Sequence, residues 1–389
     1  MTDQEKISFQ ISDHDLVPGT VQLIDINGDL DIKKGDNNNI ILQPQPSSNI
    51  NDPLKWTKRK RNFQFGLLWL WCFLQSSTSN FTGPLYDVYV TDLNTNYTSI
   101  NNSAALCYCF LGIGVVLIQP TASKLGKRFI YLSATILAII GLIVGGVAKD
   151  INGLNAFNVL SGLAASPVDS LAEVSSTDMF FQHERSTAFS LLILALYGGC
   201  NLAPVAAGYI VDGIGWRWCY WVQVIIYGVL FVILFFSMED TNFVRDLTNE
   251  DEFEKSIIEQ IKSKETTKEE VNSMVSETGV KKTYIQKLNP IQTEFNDSRS
   301  WLCICIRPFI LYFPAIIWSG LIYGCQILIL ALLSNTQTII YSAKPYYFNA
   351  DKVGLTNLSA FVGNMFGMLY GGYFVDYFTI EMAKRNNGI

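Results

Sequence analysis

The sequence predicts an all-α membrane protein. Three observations carry that expectation: long apolar blocks, scarce charge, and lysines and arginines gathered in alternate loops. Of 389 residues, 49% are hydrophobic and 16% charged, against about 25% charged in an average soluble domain. The mean hydropathy of +0.23 averages a very polar minority with the apolar blocks. Such a composition excludes an ordinary soluble enzyme, a disordered chain and a collagen-like one. The net charge of −6 and a pI near 5.1 argue against nucleic acid as a partner, which would call for a basic face. Two histidines, His14 and His183, cannot build a histidine-rich metal site, and neither a metal nor a cofactor is expected.

A helix needs about 20 mostly apolar residues to cross a bilayer. Eight stretches are read as spans: 62–85, 104–122, 129–148, 154–180, 188–211, 218–236, 309–334 and 353–378. The fourth is the least apolar and holds Asp169 and Glu173. Residues 1–54 are polar, rich in Asp and Asn, and expected to be a disordered cytosolic tail. They carry no secretory signal, so the first span is expected to direct insertion. Residues 55–237 are read as a six-helix bundle and 238–306 as a cytosolic linker of mixed charge with one exposed helix over 248–271. Residues 307–378 give two further spans, and 379–389 a cytosolic end.

Orientation follows from the basic loops. Lys55, Lys58, Arg59, Lys60 and Arg61 precede the first span, and residues 86–100 contain no Lys or Arg. Lys124, Lys127 and Arg128 separate the second and third spans. Arg185 lies between the fourth and fifth, and Lys384 and Arg385 follow the eighth. Arg217 is a mild exception. The N-terminus is therefore expected in the cytosol. Asn96 (N-Y-T) and Asn101 (N-N-S) are then sequons on the outer side, with Asn96 the better placed for glycosylation. Of eight cysteines, Cys72, Cys107, Cys109, Cys200 and Cys325 fall within spans, where thiols behave as small hydrophobes. Cys303 and Cys305, beside the membrane, are read as packing residues or palmitoylation sites.

Charge inside a bilayer costs roughly 2.5–3.5 kcal/mol on insertion scales, so a charge kept there needs a partner or a wet cavity. Asn158, Gly162, Ala165, Asp169 and Glu173 recur at helical spacing on one face of the fourth span. Asp169 and Glu173 stand one turn apart, and Pro167 should loosen the backbone beside them. Two such carboxylates cannot both ionise freely in a low dielectric, so the pair can hold a proton or a cation. The other reading is structural: capping, or pairing with a neighbouring helix. Polar faces recur elsewhere: Tyr312, Ser319, Tyr323 and Gln326 on the seventh span, Gln75, Ser76, Ser79 and Asn80 on the first, and Tyr197 and Asn201 on the fifth. Aromatic and amide groups suit a cavity for an organic cation, and equally suit interhelical hydrogen bonds. No nucleophile elbow, zinc motif, Walker loop or Cys/His cluster competes, and an enzyme is not expected.

Several segments resemble the fungal drug:proton antiporter type of the major facilitator superfamily. The loop from Gln119 to Arg128 is similar to the superfamily signature G-x-x-x-D-R-x-G-R-R. Gly126, Lys127 and Arg128 match in kind, with Gln119, Ser123 and Lys124 in place of Gly, Asp and Arg. The fifth span resembles the antiporter signature G-x-x-x-G-P-x-x-G-G through Gly199, Pro204 and Gly208, with Ala203 and Ala207 for two glycines. Asp178-M-F-F-Q-His183-Glu184-Arg185, Gly215-W-R-Trp218, Glu239-D-T-N-F-V-Arg245, Pro345-Y-Y-Phe348, Gly372-Y-F-V-Asp376 and Arg385-N-N-G-I fit the same group. Within it the nearest branch is that of histidinol, cation and polyamine uptake.

The resemblance implies the major facilitator fold and proton-coupled alternating access, with the first, fourth and seventh spans lining a central cavity. It implies a plasma-membrane location and implies no oligomer. On that reading Glu173, assisted by Asp169, Asn158, Tyr323, Gln326 and Tyr197, binds a small cationic substrate or proton. Ser123, Gly126, Lys127, Arg128, Asp178, Glu184, Arg185 and Asp376 form the switch loops, and Gly199, Pro204 and Gly208 the antiporter motif. Asn158 stands where the family has an Arg. The family has twelve spans in two halves of six, so eight spans give a whole first half and an incomplete second, the expectation being a shortened chain. The alternatives to uptake of a polyamine, histidinol or similar cation are multidrug export on the same fold and a non-transporting remnant.

Overall fold

Thr57 opens the first long helix: its hydroxyl accepts from the Lys60 N–H, closing α1 (Lys58–Asn80) against water. The computed structural model describes residues 42–44, 49, 51–242, 283–289, 300–301, 303–305 and 314–385. Among them the regular structure is helical. After α1 come α2 (Tyr86–Asp92), α3 (Tyr97–Leu125), α4 (Lys127–Val147), α5 (Ile151–Ala165), α6 (Leu171–Met179), α7 (Arg185–Ile214), α8 (Arg217–Ser237), α9 (Pro314–Ser342), α10 (Ala350–Leu369) and α11 (Val375–Arg385). Turns are tight where glycine allows them. Gly126, with φ of 96°, sits between α3 and α4, and Gly215, with φ of 98°, between α7 and α8.

Among the described residues, five helical stretches are long and apolar enough to cross a membrane: Tyr97–Leu125, Lys127–Val147, Gln182–Ile214, Arg217–Ser237 and Ile317–Ser342. The structure departs from the expected spans at four points. The first span ends as helix at Asn80 and continues as turns through Leu85. The loop after it contains α2. The fourth span is two helices, α5 and α6, separated by turns over 166–170. The eighth is α10, a π-helical turn at Tyr370–Phe374, and α11. The tail before residue 42 and the linker helix expected over 248–271 lie outside the described residues.

The core of the bundle is aromatic. Phe81, Phe157 and Tyr220 meet edge-to-face at 5.0–6.1 Å, and Tyr89 meets Trp216 the same way at 5.2 Å. Their polar tips are satisfied as they must be away from water: Tyr89 and Tyr220 hydroxyls lie 2.8 Å apart, Trp71 Nε1 donates to Thr135 Oγ1 at 3.0 Å, and Trp216 Nε1 to Asp92 Oδ2 at 2.8 Å. Within the bundle α7 packs on α1 and α10, α5 on α3 and α4, and α4 on α8. The start of α1 is tied to the end of α8, with Gln64 Nε2 donating to Ser237 O at 2.7 Å and Lys60 paired with Glu239 at 2.6 Å. At the opposite, far end α9 is tied to the α1–α2 turn. Thr338 Oγ1 donates to Gly83 O at 2.8 Å and Ser342 Oγ to Asp87 Oδ2 at 2.5 Å.

Candidate functional site

Pro167 dictates the break in the fourth span. It has no N–H, so the Leu163 carbonyl loses its helical donor, and Ser166 Oγ replaces it at 2.6 Å. Val168 N turns to Ala165 O at 3.0 Å, which frees Ala164 O; that carbonyl accepts instead from Gln75 Nε2 on α1 at 2.5 Å. Leu171 N and Ala172 N then share Pro167 O, and α6 begins. Non-helical backbone at membrane depth persists where protein groups re-satisfy it in this way.

Asp169 therefore lies in the turn, half-buried, and Glu173, exposed, in the first turn of α6 beside buried Leu171 and Ala172. This corrects the expectation of one continuous helical face carrying both. The two remain close enough to interact electrostatically. Tyr323 of α9 interacts with both carboxylates, with Tyr197 and with Cys200, and Asp169 also with Tyr197 and Cys200 of α7. Asp169 thus lies within electrostatic range of Glu173, Tyr197 and Tyr323, residues from three parts of the chain. Gln326 is exposed on α9. Asn158 belongs elsewhere: its Nδ2 donates to Ser103 Oγ at 2.8 Å, and it borders a small polar pocket with Asn80, Tyr108 and Ser334 toward the far end.

The switch-loop residues gather at the other, basic end. Lys127 and Asp178 form an ion pair whose side chains are 7% and 15% exposed. Arg128, buried, donates through Nη2 to Phe235 O at 2.5 Å. Arg61 pairs with Glu184 at 2.9 Å and lies over the Phe180 ring at 4.8 Å. Arg185 reaches the carbonyls of Phe180 and Thr177 at 3.4 Å each. Ser123 returns its hydroxyl to Gln119 O of its own helix at 3.1 Å. Asp376 crosses from α11 to the start of α7, where Oδ2 accepts from Thr187 N at 2.9 Å and Thr187 Oγ1 at 2.5 Å. A carboxylate there satisfies a free N–H and complements the helix dipole.

The three α7 motif residues form a close seam. A Cβ on Gly199 would stand 2.1 Å from Phe73 O of α1, and one on Gly208 would stand 2.6 Å from Ala350 O of α10; on the facing helix, a Cβ on Gly354 would stand 2.6 Å from Pro204 O. Exposed Asn96 occupies the N-cap position of α3.

Sequence reasoning missed two features. Asp240, beyond the end of α8, is half-buried within electrostatic range of Lys127 and Asp178. Burial pushes its carboxyl up, while Lys127 and the Asn242 N–H pull it down. Gln75 stood out as a polar residue in a span, but its partner is set by packing rather than by spacing.

Residues 68–383 match the Major Facilitator Superfamily, and the chain belongs to this family of multi-pass membrane transporters. It is 29% identical over 400 residues to an uncharacterized MFS-type transporter of Schizosaccharomyces pombe, covering 92% of this chain and 67% of that one. It is 26% identical to Protein HOL1 of Saccharomyces cerevisiae, covering 90% and 68%. A shorter stretch, 41% of this chain and 23% of the relative, is 29% identical to MFS antiporter QDR3 of Candida albicans. The chain spans about two-thirds of the length of the first two relatives.

Proposed function

We propose that this chain serves proton-coupled transport of a small organic cation, such as a polyamine or histidinol, by alternating access across the plasma membrane, with its N-terminus in the cytosol. The observation that carries the reading is the placement of Asp169 within electrostatic range of Glu173, Tyr197 and Tyr323. Carboxylates attract an ammonium group, and the tyrosine faces add cation–π attraction. Proton and cation compete for the same carboxylates, and that competition is the coupling. Asn158, hydrogen-bonded to Ser103, lines the outer approach in this scheme, and Gln326 the α9 wall. The two end contacts, Asp376 with Thr187 and Ser342 with Asp87, are the closures that alternate. Lys127, Arg128, Asp178, Glu184 and Arg185 brace the basic-end closure, and the Gly199–Pro204–Gly208 seam lets α7 pivot against α1 and α10.

The test is uptake of a labelled polyamine by yeast cells expressing the protein. Glu173→Gln removes the charge at constant shape and abolishes uptake while surface expression stays intact; undiminished uptake sinks the assignment. Export of a drug by exchange with protons is the second reading, and one relative is named as an antiporter. Resistance without polyamine accumulation would select it.

A further inference from the structure

A chain of buried hydrogen bonds leads from α8 through α1 to the break in the fourth span. Thr78 Oγ1 has three acceptors within reach of its one proton, Gln223 Oε1 at 2.8 Å, the Tyr227 hydroxyl at 2.9 Å and Leu74 O at 3.2 Å. Tyr227 donates to Gln75 Oε1 at 2.5 Å, and Gln75 Nε2 donates to Ala164 O at 2.5 Å. Gln75, Thr78 and Tyr227 are 1%, 3% and 0% exposed. Tyr227 and Gln75 each spend a donor on the next acceptor, so these two bonds polarise one another.

The chain ends on the Ala164 carbonyl, which a side chain of α1 serves. Pro167 forces the break, since its ring and missing N–H forbid helical closure onto Leu163. Ser166 satisfies Leu163 from within the turn. Ala164 O has no such local donor: Val168 N has moved to Ala165 O. Proline makes the break, then, but does not fix the direction in which the following turn leaves α5. Asp169 lies five residues beyond Ala164.

We propose that Gln75, oriented by Tyr227 and Thr78, is a positioning residue for the transport site: it clamps the turn that presents Asp169 and Glu173 to Tyr197 and Tyr323. The inference rests on the cation-transport reading for its functional part. Its structural part stands separately: without the clamp Ala164 O recruits water and the turn loosens.

Two measurements on the purified full chain and on cells separate these. Gln75→Leu, Tyr227→Phe and Thr78→Val each cut the chain at one link, and Thr78→Ser keeps it. Hydrogen–deuterium exchange in lipid nanodiscs at the Val168, Leu171 and Ala172 amides rises on the order of tenfold in the three cut variants, against unchanged α4. Thr78→Ser exchanges as the unaltered protein does. In uptake, the cut variants raise the cation KM on the order of tenfold or more and move the pH midpoint, and Thr78→Ser restores both. Unchanged exchange in Gln75→Leu overturns the clamp. Raised exchange with unmoved KM and pH midpoint overturns the positioning role. Raised exchange in the cut variants, with no cation uptake by the unaltered protein, defeats the transport reading and upholds the clamp.

Discussion

Gly199→Ala adds one methyl group where α7 and α1 touch, and the local geometry determines its cost. The new Cβ would stand 2.1 Å from Phe73 O and 2.9 Å from Ser77 N. Both are backbone atoms inside α1, so neither can swing aside as a side-chain tip would. Reaching the 3.4 Å of ordinary contact requires the helices to part by about 1.3 Å. Small residues are what let membrane helices approach this closely, and a gap of that size forfeits a large part of the dispersion along the seam. The expected loss is about 1–3 kcal/mol, as for overpacking in a tight core. Gly66, also in α1, is the control: nothing lies within 4 Å of its Cβ position, and alanine there should gain about 0.5–1 kcal/mol of helix stability. A thiol-reactive dye reads the unfolding, because all eight cysteines are free and Cys72 and Cys107 are buried. Gly199→Ala should lower the midpoint by a few °C or more while Gly66→Ala holds or raises it. A Gly199→Ala protein unfolding at or above the unaltered midpoint would refute the reasoning.

Lys127→Met removes the cation of a nearly buried pair and should cost about 3–5 kcal/mol, whereas the double change with Asp178→Leu recovers most of it in the same assay. Asp240, outside the spans, has its carboxyl raised above the ordinary 3.8 by burial. Its folded form therefore favours the proton, so its contribution to stability is full below that ordinary value and is lost as pH rises through the raised one. Thermal midpoints of Asp240→Asn should gain on the unaltered protein with rising pH; parallel curves would remove the effect. For Asn96, enzymatic deglycosylation should shift gel mobility of the unaltered protein but not of Asn96→Gln.

The helical class was legible because apolar blocks and sparse charge report directly on the solvent a segment needs. Pro167 announced a weak point, though not that the span would divide into α5 and α6, because whether a proline kinks or cuts depends on the groups that re-satisfy the freed carbonyls. Gln75 is such a group, and it comes from another helix. Arg61 shows the same limit. Its charge was legible as a sign of orientation, but its partner Glu184 lies far along the sequence and is brought to it by packing. Tyr323 was readable as one of a polar face at helical spacing, and its place within electrostatic range of Asp169 depends on packing. Asp240 carried no periodic signal, since it lies in a loop whose burial only the assembled bundle determines.

Asp376 grips Thr187 partly through the main chain, and that half of the grip belongs to every amino acid except proline. Drift at position 187 can remove the hydroxyl and leave the amide in place. The joint between α11 and α7 is therefore lopsided in evolution: one side can wander, and the other must hold still.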